Sequence, residues 1–211
     1  MSDNDVDADV IAPSRYSVLH QFQTVSPVSG VAVVYRRNIQ VSKVRLQFVA
    51  RSFDSLVVKI ETQFGPLNIA AVYRPPSTSP HGVSVRQFRK DLATYIDELL
   101  ELDGELLLCG DINCPDKNTT RTANPLIHES VDALLSSRQL VQRVVGSTHQ
   151  DGNILDVLIT EKDSTLSTKP RLLDVVFSDH KLVLSKLTLE LEAASCLFGQ
   201  LCLFFGKLRY D

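Results

Sequence analysis

The tightest constraint on the fold is a pair of apolar runs that each break off into a short polar motif. Leu106-Leu107-Leu108-Cys109 leads into Gly110-Asp111-Ile112-Asn113. Val175-Val176-Phe177 leads into Ser178-Asp179-His180, after which Leu182-Val183-Leu184 resumes. An unbroken apolar strand is covered on both faces, so the chain must build layers around it. Strand ends are where α/β folds display chemistry. An Asp with an Asn at one end, and an Asp beside a His at the other, suit metal-assisted attack of water on a phosphate ester.

The 211 residues are 44% hydrophobic and 22% charged, enough for one sizeable core in one domain. The net charge of −3 argues against a broad basic face for nucleic acid. It does not exclude a nuclease, because a bound cation supplies positive charge locally. The four cysteines (109, 114, 196 and 202) form no C-x-x-C pair, which argues against zinc. The start of the chain is acidic and lacks the apolar core of a signal peptide. An intracellular protein, nuclear or cytoplasmic, with reduced thiols is the expectation. No apolar stretch is long enough for a membrane span.

Residues 31–35 and 46–53 read as strands, and 55–62 and 67–73 as two strands joined in a hairpin at Phe64-Gly65-Pro66. Residues 84–103 read as a helix, with Val85, Phe88, Leu92, Ile96 and Leu99 on one face, Ser84 as N-cap and Gly104 as stop. A strand at 105–109 follows, then a second helix at about 125–139 begun by Asn124 and Pro125. Strands at 154–160, 172–177 and 181–191 complete the pattern. Many strands with two helices imply a layered α/β or α+β sandwich. Three regions are expected: an acidic, loose 1–12, a domain over 13–191, and an apolar tail over 192–211.

Asp111 and Asn113, at i and i+2, would project the same way from an extended chain. Asp111 could deprotonate a water and Asn113 hold a phosphoryl oxygen; Gly, Asp and Asn are equally the residues of an ordinary turn. Asp179 could bind a metal and His180 stabilise a phosphorane, given a carboxylate to orient its other ring nitrogen. Asp156, alone in the apolar run Ile154-Leu155-Asp156-Val157-Leu158, is the candidate orienter, since a buried Asp is costly unless paired. Tyr73 and Arg74, at another strand end before two prolines, could each hydrogen-bond a phosphate. Thr148-His149 reads as a loop contact or a solvated loop.

In this order the motifs resemble the endonuclease/exonuclease/phosphatase superfamily. The nearest likeness is to the apurinic-type endonuclease domain of LINE-like (jockey-type) retrotransposons. The resemblance implies an α/β fold, a two-layer β-sandwich flanked by helices in the DNase I-like manner, lacking its first strand or strands. It implies Mg²⁺ or Mn²⁺ as cofactor, DNA as partner, and the reverse transcriptase domain of the same element as a further partner. It implies that Asp111 activates water, Asn113 contacts the phosphate, Asp156 orients His180, Asp179 sits at the metal, and Tyr73 hydrogen-bonds the scissile phosphate. Members of the family carry an early strand ending in a metal-binding Glu. Here Glu61 alone precedes residue 98, and it lies in a later strand. The expected function is therefore a metal-dependent DNA-nicking phosphodiesterase of retrotransposon origin, impaired by the loss of that ligand. The alternatives are an inactive remnant serving as a binding or structural module, and a phosphatase of the same superfamily.

Overall fold

The computed structural model describes residues 14–22, 30–115, 127–164, 166 and 169–187. Ten strands and two helices occur among them. They are β1 (Tyr16–Phe22), β2 (Gly30–Arg36), β3 (Val41–Val44), β4 (Asp54–Thr62) and β5 (Gly65–Tyr73), then α1 (Val85–Leu100) and β6 (Glu105–Asp111). After these come α2 (Glu129–Ser136), β7 (Leu140–Gln142), β8 (Asp156–Glu161), β9 (Arg171–Leu173) and β10 (Leu182–Leu184).

Six strands form one mixed sheet in the order β3-β4-β5-β6-β8-β7. Only β5 and β6 run parallel, because α1 carries the chain back across the sheet between them. Two antiparallel ribbons, β1–β2 and β9–β10, lie outside that sheet. The expected hairpin is present, with Thr62 opposite Gly65 at its turn.

The alternation of side chains along β6 explains its unbroken apolar run. Leu106 and Leu108 join Phe88, Leu92, Tyr95, Ile96 and Leu99 of α1, and Val131, Leu134 and Leu135 of α2, in one core. Leu107 and Cys109 point the other way, into a core shared with Val31 and Val33 of β2 and Val183 of β10. The sheet is thus sandwiched between two helices on one face and ribbon strands on the other.

Several sequence expectations shift. Residues 46–53 are not a strand. The amides of Gln47 and Phe48 donate to the Glu98 carboxylate, the latter at 2.8 Å, and that of Arg51 donates to Asp91 at 3.2 Å. These donors serve α1 instead of a ladder, and Phe53 packs edge-on against Phe88 and Tyr95. Helix α1 keeps its expected cap, Ser84 Oγ accepting from the Gln87 amide at 3.2 Å, but ends at Leu100. Helix α2 begins at Glu129, where the His128 ring accepts from the Ser130 amide at 3.2 Å. Asn124 and Pro125 lie outside the described residues, as do 1–12 and 188–211. Strand β9 stops at Leu173, since residues 174–177 turn instead of pairing. Strand β1 and the short strands β3 and β7 were not among the sequence expectations. Among the described residues no helix is long and apolar enough to cross a membrane.

Candidate active site

The strand registers bring four polar residues into a single cross-strand row. Asp54 lies opposite Tyr73, Tyr73 opposite Asp111, and Asp111 opposite Asp156. With adjacent strands ~4.8 Å apart, the row is ~14 Å long. Directly paired residues share a face of the sheet. Leu56, Cys109 and Leu158, each two positions along from a carboxylate of the row, belong to the ribbon-side core, so the row faces that side.

The loop after β7 supports one end of this row. Thr148 is fully buried, and its Oγ1 accepts from the amides of Leu155 at 2.9 Å and Asp156 at 3.1 Å. Asp156, itself buried, receives His180 Nδ1 at 2.8 Å. A carboxylate only accepts, so the proton sits on Nδ1 and Nε2 is the atom left to meet a substrate. Ser178 Oγ accepts from the His180 amide at 3.0 Å and fixes the turn. The 148–153 loop is stitched to this segment by the His149–His180 bridge, by the Gln150 amide on the Asp179 carbonyl at 3.0 Å, and by the Lys181 amide on the Thr148 carbonyl at 2.8 Å.

This stitching also places His149. Its Nδ1 accepts from the Asp151 amide at 3.1 Å, and its Nε2 lies 3.4 Å from Asp179 Oδ2. The His149 and His180 rings meet edge to face, with centroids 4.9 Å apart. His149 is thus part of the constellation, not a solvated loop residue. Asp54 was likewise not singled out from the sequence; a lone Asp opening an apolar strand, like Asp156, was the available signal.

Two residues expected to contact phosphate have their side chains engaged within the protein. Arg74 is fully buried. Its guanidinium donates to the carbonyls of Asn113 at 2.6 Å, Ile112 at 3.3 Å and Val83 at 2.8 Å, and lies over the Phe88 ring. It ties the β5 and β6 ends to the start of α1 and presents no face to a phosphate. Asn113 does not continue an extended chain; its φ is +44°, in the left-handed region. Its side-chain NH₂ donates to Asp111 Oδ2 and to the Arg74 carbonyl, both at 2.8 Å, while its amide donates to Asp111 Oδ1 at 2.9 Å. Both side-chain hydrogens are engaged, so Asn113 holds Asp111 in place and has none left for a phosphoryl oxygen.

Burial, reinforced by the negative charge of Asp156, pushes the Asp111 carboxyl up to about 7, with His180 and Asn113 opposing. Burial lowers His180, but the hydrogen bond and charge of Asp156, with Asp111 and Asp179, outweigh it and leave the imidazole above its ordinary value. Tyr73 is raised by burial and then by Asp111 and Asp54, so its hydroxyl stays a donor. Burial also tends to raise Asp179, yet its own backbone N–H together with His180 and His149 holds it below the usual carboxylate range.

Two donor groups of the kind that hold cations emerge: Asp111, Asp156 and His180, and His149, Asp179 and His180, each with ligand atoms within 4.8 Å of one another. Glu61 is at the opposite end of β4 from Asp54, about 24 Å away along the strand, and pairs with Lys59 at 2.6 Å.

Comparison with known proteins places this geometry. The TRAS1 endonuclease domain, from a telomere-specific non-LTR retrotransposon, is similar in structure at 19% identity and a TM-score of 0.58, over 79% of this chain and 75% of that one. The 3′ phosphatase NExo from Neisseria, bound to product DNA hairpin, is similar at 14% identity and a TM-score of 0.59, over 86% and 82%. The catalytic domain of human Nocturnin is similar at 16% identity and a TM-score of 0.55, over 84% and 73%. These likenesses establish a DNase I-like fold. No curated protein sequence matches the chain. The endonuclease-reverse transcriptase family model matches residues 67–184, more than half of the sequence and the span that holds Tyr73, Asp111, Asp156, Asp179 and His180. The chain belongs to the endonuclease-reverse transcriptase family, within the endonuclease/exonuclease/phosphatase superfamily.

Proposed function

We propose that the chain is a divalent-cation-dependent phosphodiester hydrolase that nicks DNA. The observation that carries this reading is the row Tyr73–Asp111–Asp156, with His180 held on Asp156 at 2.8 Å. Asp111, pushed up to about 7, is matched to accept a proton from water near neutral pH. His180 keeps its proton to higher pH than a free imidazole and offers Nε2 to the charge that builds on the phosphoryl group. The Tyr73 hydroxyl donates to a phosphoryl oxygen. Asn113 and Arg74 act by holding Asp111.

The residues fit a hard divalent cation, Mg²⁺ or Mn²⁺. Asp111 and Asp156 face one another across adjacent strands, a concentration of negative charge that raises Asp111 and that a cation would relieve. The exposed Asp179, grouped with His149 and His180, would hold it, and it would supply Lewis-acid stabilisation at the phosphate when bound. Glu61 is too distant to contribute, so we read the site as binding its cation weakly. The ribbons supply what we read as the second layer of a DNase I-like sandwich.

DNA is favoured as substrate by the TRAS1 and NExo likenesses. The NExo likeness also supports a second reading, a phosphatase acting on 3′-phosphate ends. Incubation with supercoiled plasmid tests both. Nicking that requires Mg²⁺ or Mn²⁺ and disappears in His180→Ala is the expected result. Release of phosphate from a 3′-phosphorylated oligonucleotide without nicking selects the phosphatase. A folded wild-type chain that does neither leaves a binding module.

A further inference from the structure

Two adjacent apolar side chains stand out of the protein beside the candidate active site. Val176 is 104% exposed and Phe177 81%, at the tip of the turn between β9 and β10. Tight turns ordinarily take Gly, Pro, Asn, Asp or Ser. The turn is not loosely held. Leu173 pairs with Leu182 at its neck, Lys181 Nζ meets Asp174 at 3.1 Å across it, and Ser178 Oγ ties the His180 amide. Phe177 is therefore presented on a fixed support, two residues from Asp179 and three from His180.

The only other phenylalanine among the strongly exposed described residues, Phe64, sits on the β4–β5 hairpin at the far end of the sheet. A third apolar residue lies on the near side. Val145 is exposed next to Gly146, where an added Cβ would lie 3.5 Å from Leu172 of β9. Val176 and Phe177 thus put an apolar edge beside the catalytic pair. The chain carries a net charge of −3, so it lacks the bulk positive charge on which phosphate-backbone binding usually relies. Base stacking supplies affinity without charge and tolerates any sequence, since every base has a π-face.

We propose that the Val176–Phe177 turn is a nucleobase-contacting wedge, with the Phe177 ring stacking on a base next to the phosphate that His180 and Asp179 engage. The inference rests on the DNA reading above and deepens it by assigning the contact that holds the strand.

The sequence contains no tryptophan, so Phe177→Trp creates a single fluorescent reporter at the wedge. In Ca²⁺ or EDTA, a short DNA oligonucleotide should quench that emission. Phe177→Ala should weaken oligonucleotide binding about 5-fold or more, with little dependence on base sequence. It should leave the melting temperature unchanged, and Phe64→Ala should leave binding unchanged. An unquenched Phe177→Trp, equal affinity in Phe177→Ala, or a marked loss of thermal stability in that variant overturns the wedge. Plasmid nicking measured alongside separates the two readings. Quenching without nicking upholds the wedge and overturns the hydrolase, nicking without quenching does the reverse, and a wild-type chain that neither binds nor nicks DNA overturns both.

Discussion

Asp111 and His180 carry opposite charges, yet both make the folded chain hold protons more tightly than the unfolded chain does. Asp111 rises from 3.8 to about 7, so its favourable contribution is complete below pH 4 and is lost as pH rises through about 7. His180 is raised above 6.5, so its contribution is complete below 6.5 and is lost as pH rises through its folded value. Without divalent cation, the urea midpoint should therefore fall between pH 5 and pH 8, and Asp111→Asn should flatten the part of that fall below pH 7. A midpoint that rises across this range contradicts the assignment. Arg74 makes a separate prediction. Arg74→Lys keeps the charge but not the planar fork that reaches three carbonyls. It should cost about 3 kcal/mol in denaturant titration, against near neutrality for an exposed arginine. At this scale the sequence showed which residue types stand at strand ends, but not where each side chain points. Arg74 and Tyr73 are neighbours that face opposite ways, and only Tyr73 reaches the site side. Asn113, expected to project with Asp111 from an extended chain, instead takes the left-handed turn conformation that its residue type tolerates.

The central strands and the first helix were legible because their patterns are locally complete. Strand β6 reads as buried on both faces, and both cores use it. Leu107→Ala should open a cavity on the ribbon side and cost about 2–5 kcal/mol. A melting curve indistinguishable from wild type would remove Leu107 from the core. Gly110 marks the limit of local reading. Its φ is +135°, and a Cβ there would lie 1.9 Å from the Val72 carbonyl oxygen, so the sharp exit that aims Asp111 depends on the neighbouring strand. Short elements were missed or drawn too long for the same reason. Strands β3, β7, β9 and β10 have only three or four residues and owe their conformation to their partners. The segment 46–53 has strand composition, but carboxylates on α1 capture its amides. The order of motifs identified the layers without fixing these edges.

For the whole molecule, residues from four separate strands and two loops meet on the ribbon-facing side of one sheet end. Tyr73 and His180 are over a hundred residues apart in the chain, and no local pattern could place them together. It was their order along the sequence that made the site legible. The central claim is that these residues act as one phosphoesterase centre, with Asp156 acting through His180. Single-turnover nicking of plasmid in Mg²⁺ by wild type, Asp156→Asn, His180→Ala and the double variant tests it most directly. A metal-dependent wild-type rate, reduced about 10²–10⁴-fold in His180→Ala, with no further loss when Asp156→Asn is added, is the predicted result. Losses that multiply in the double variant, or wild-type nicking that His180→Ala leaves intact, would contradict it.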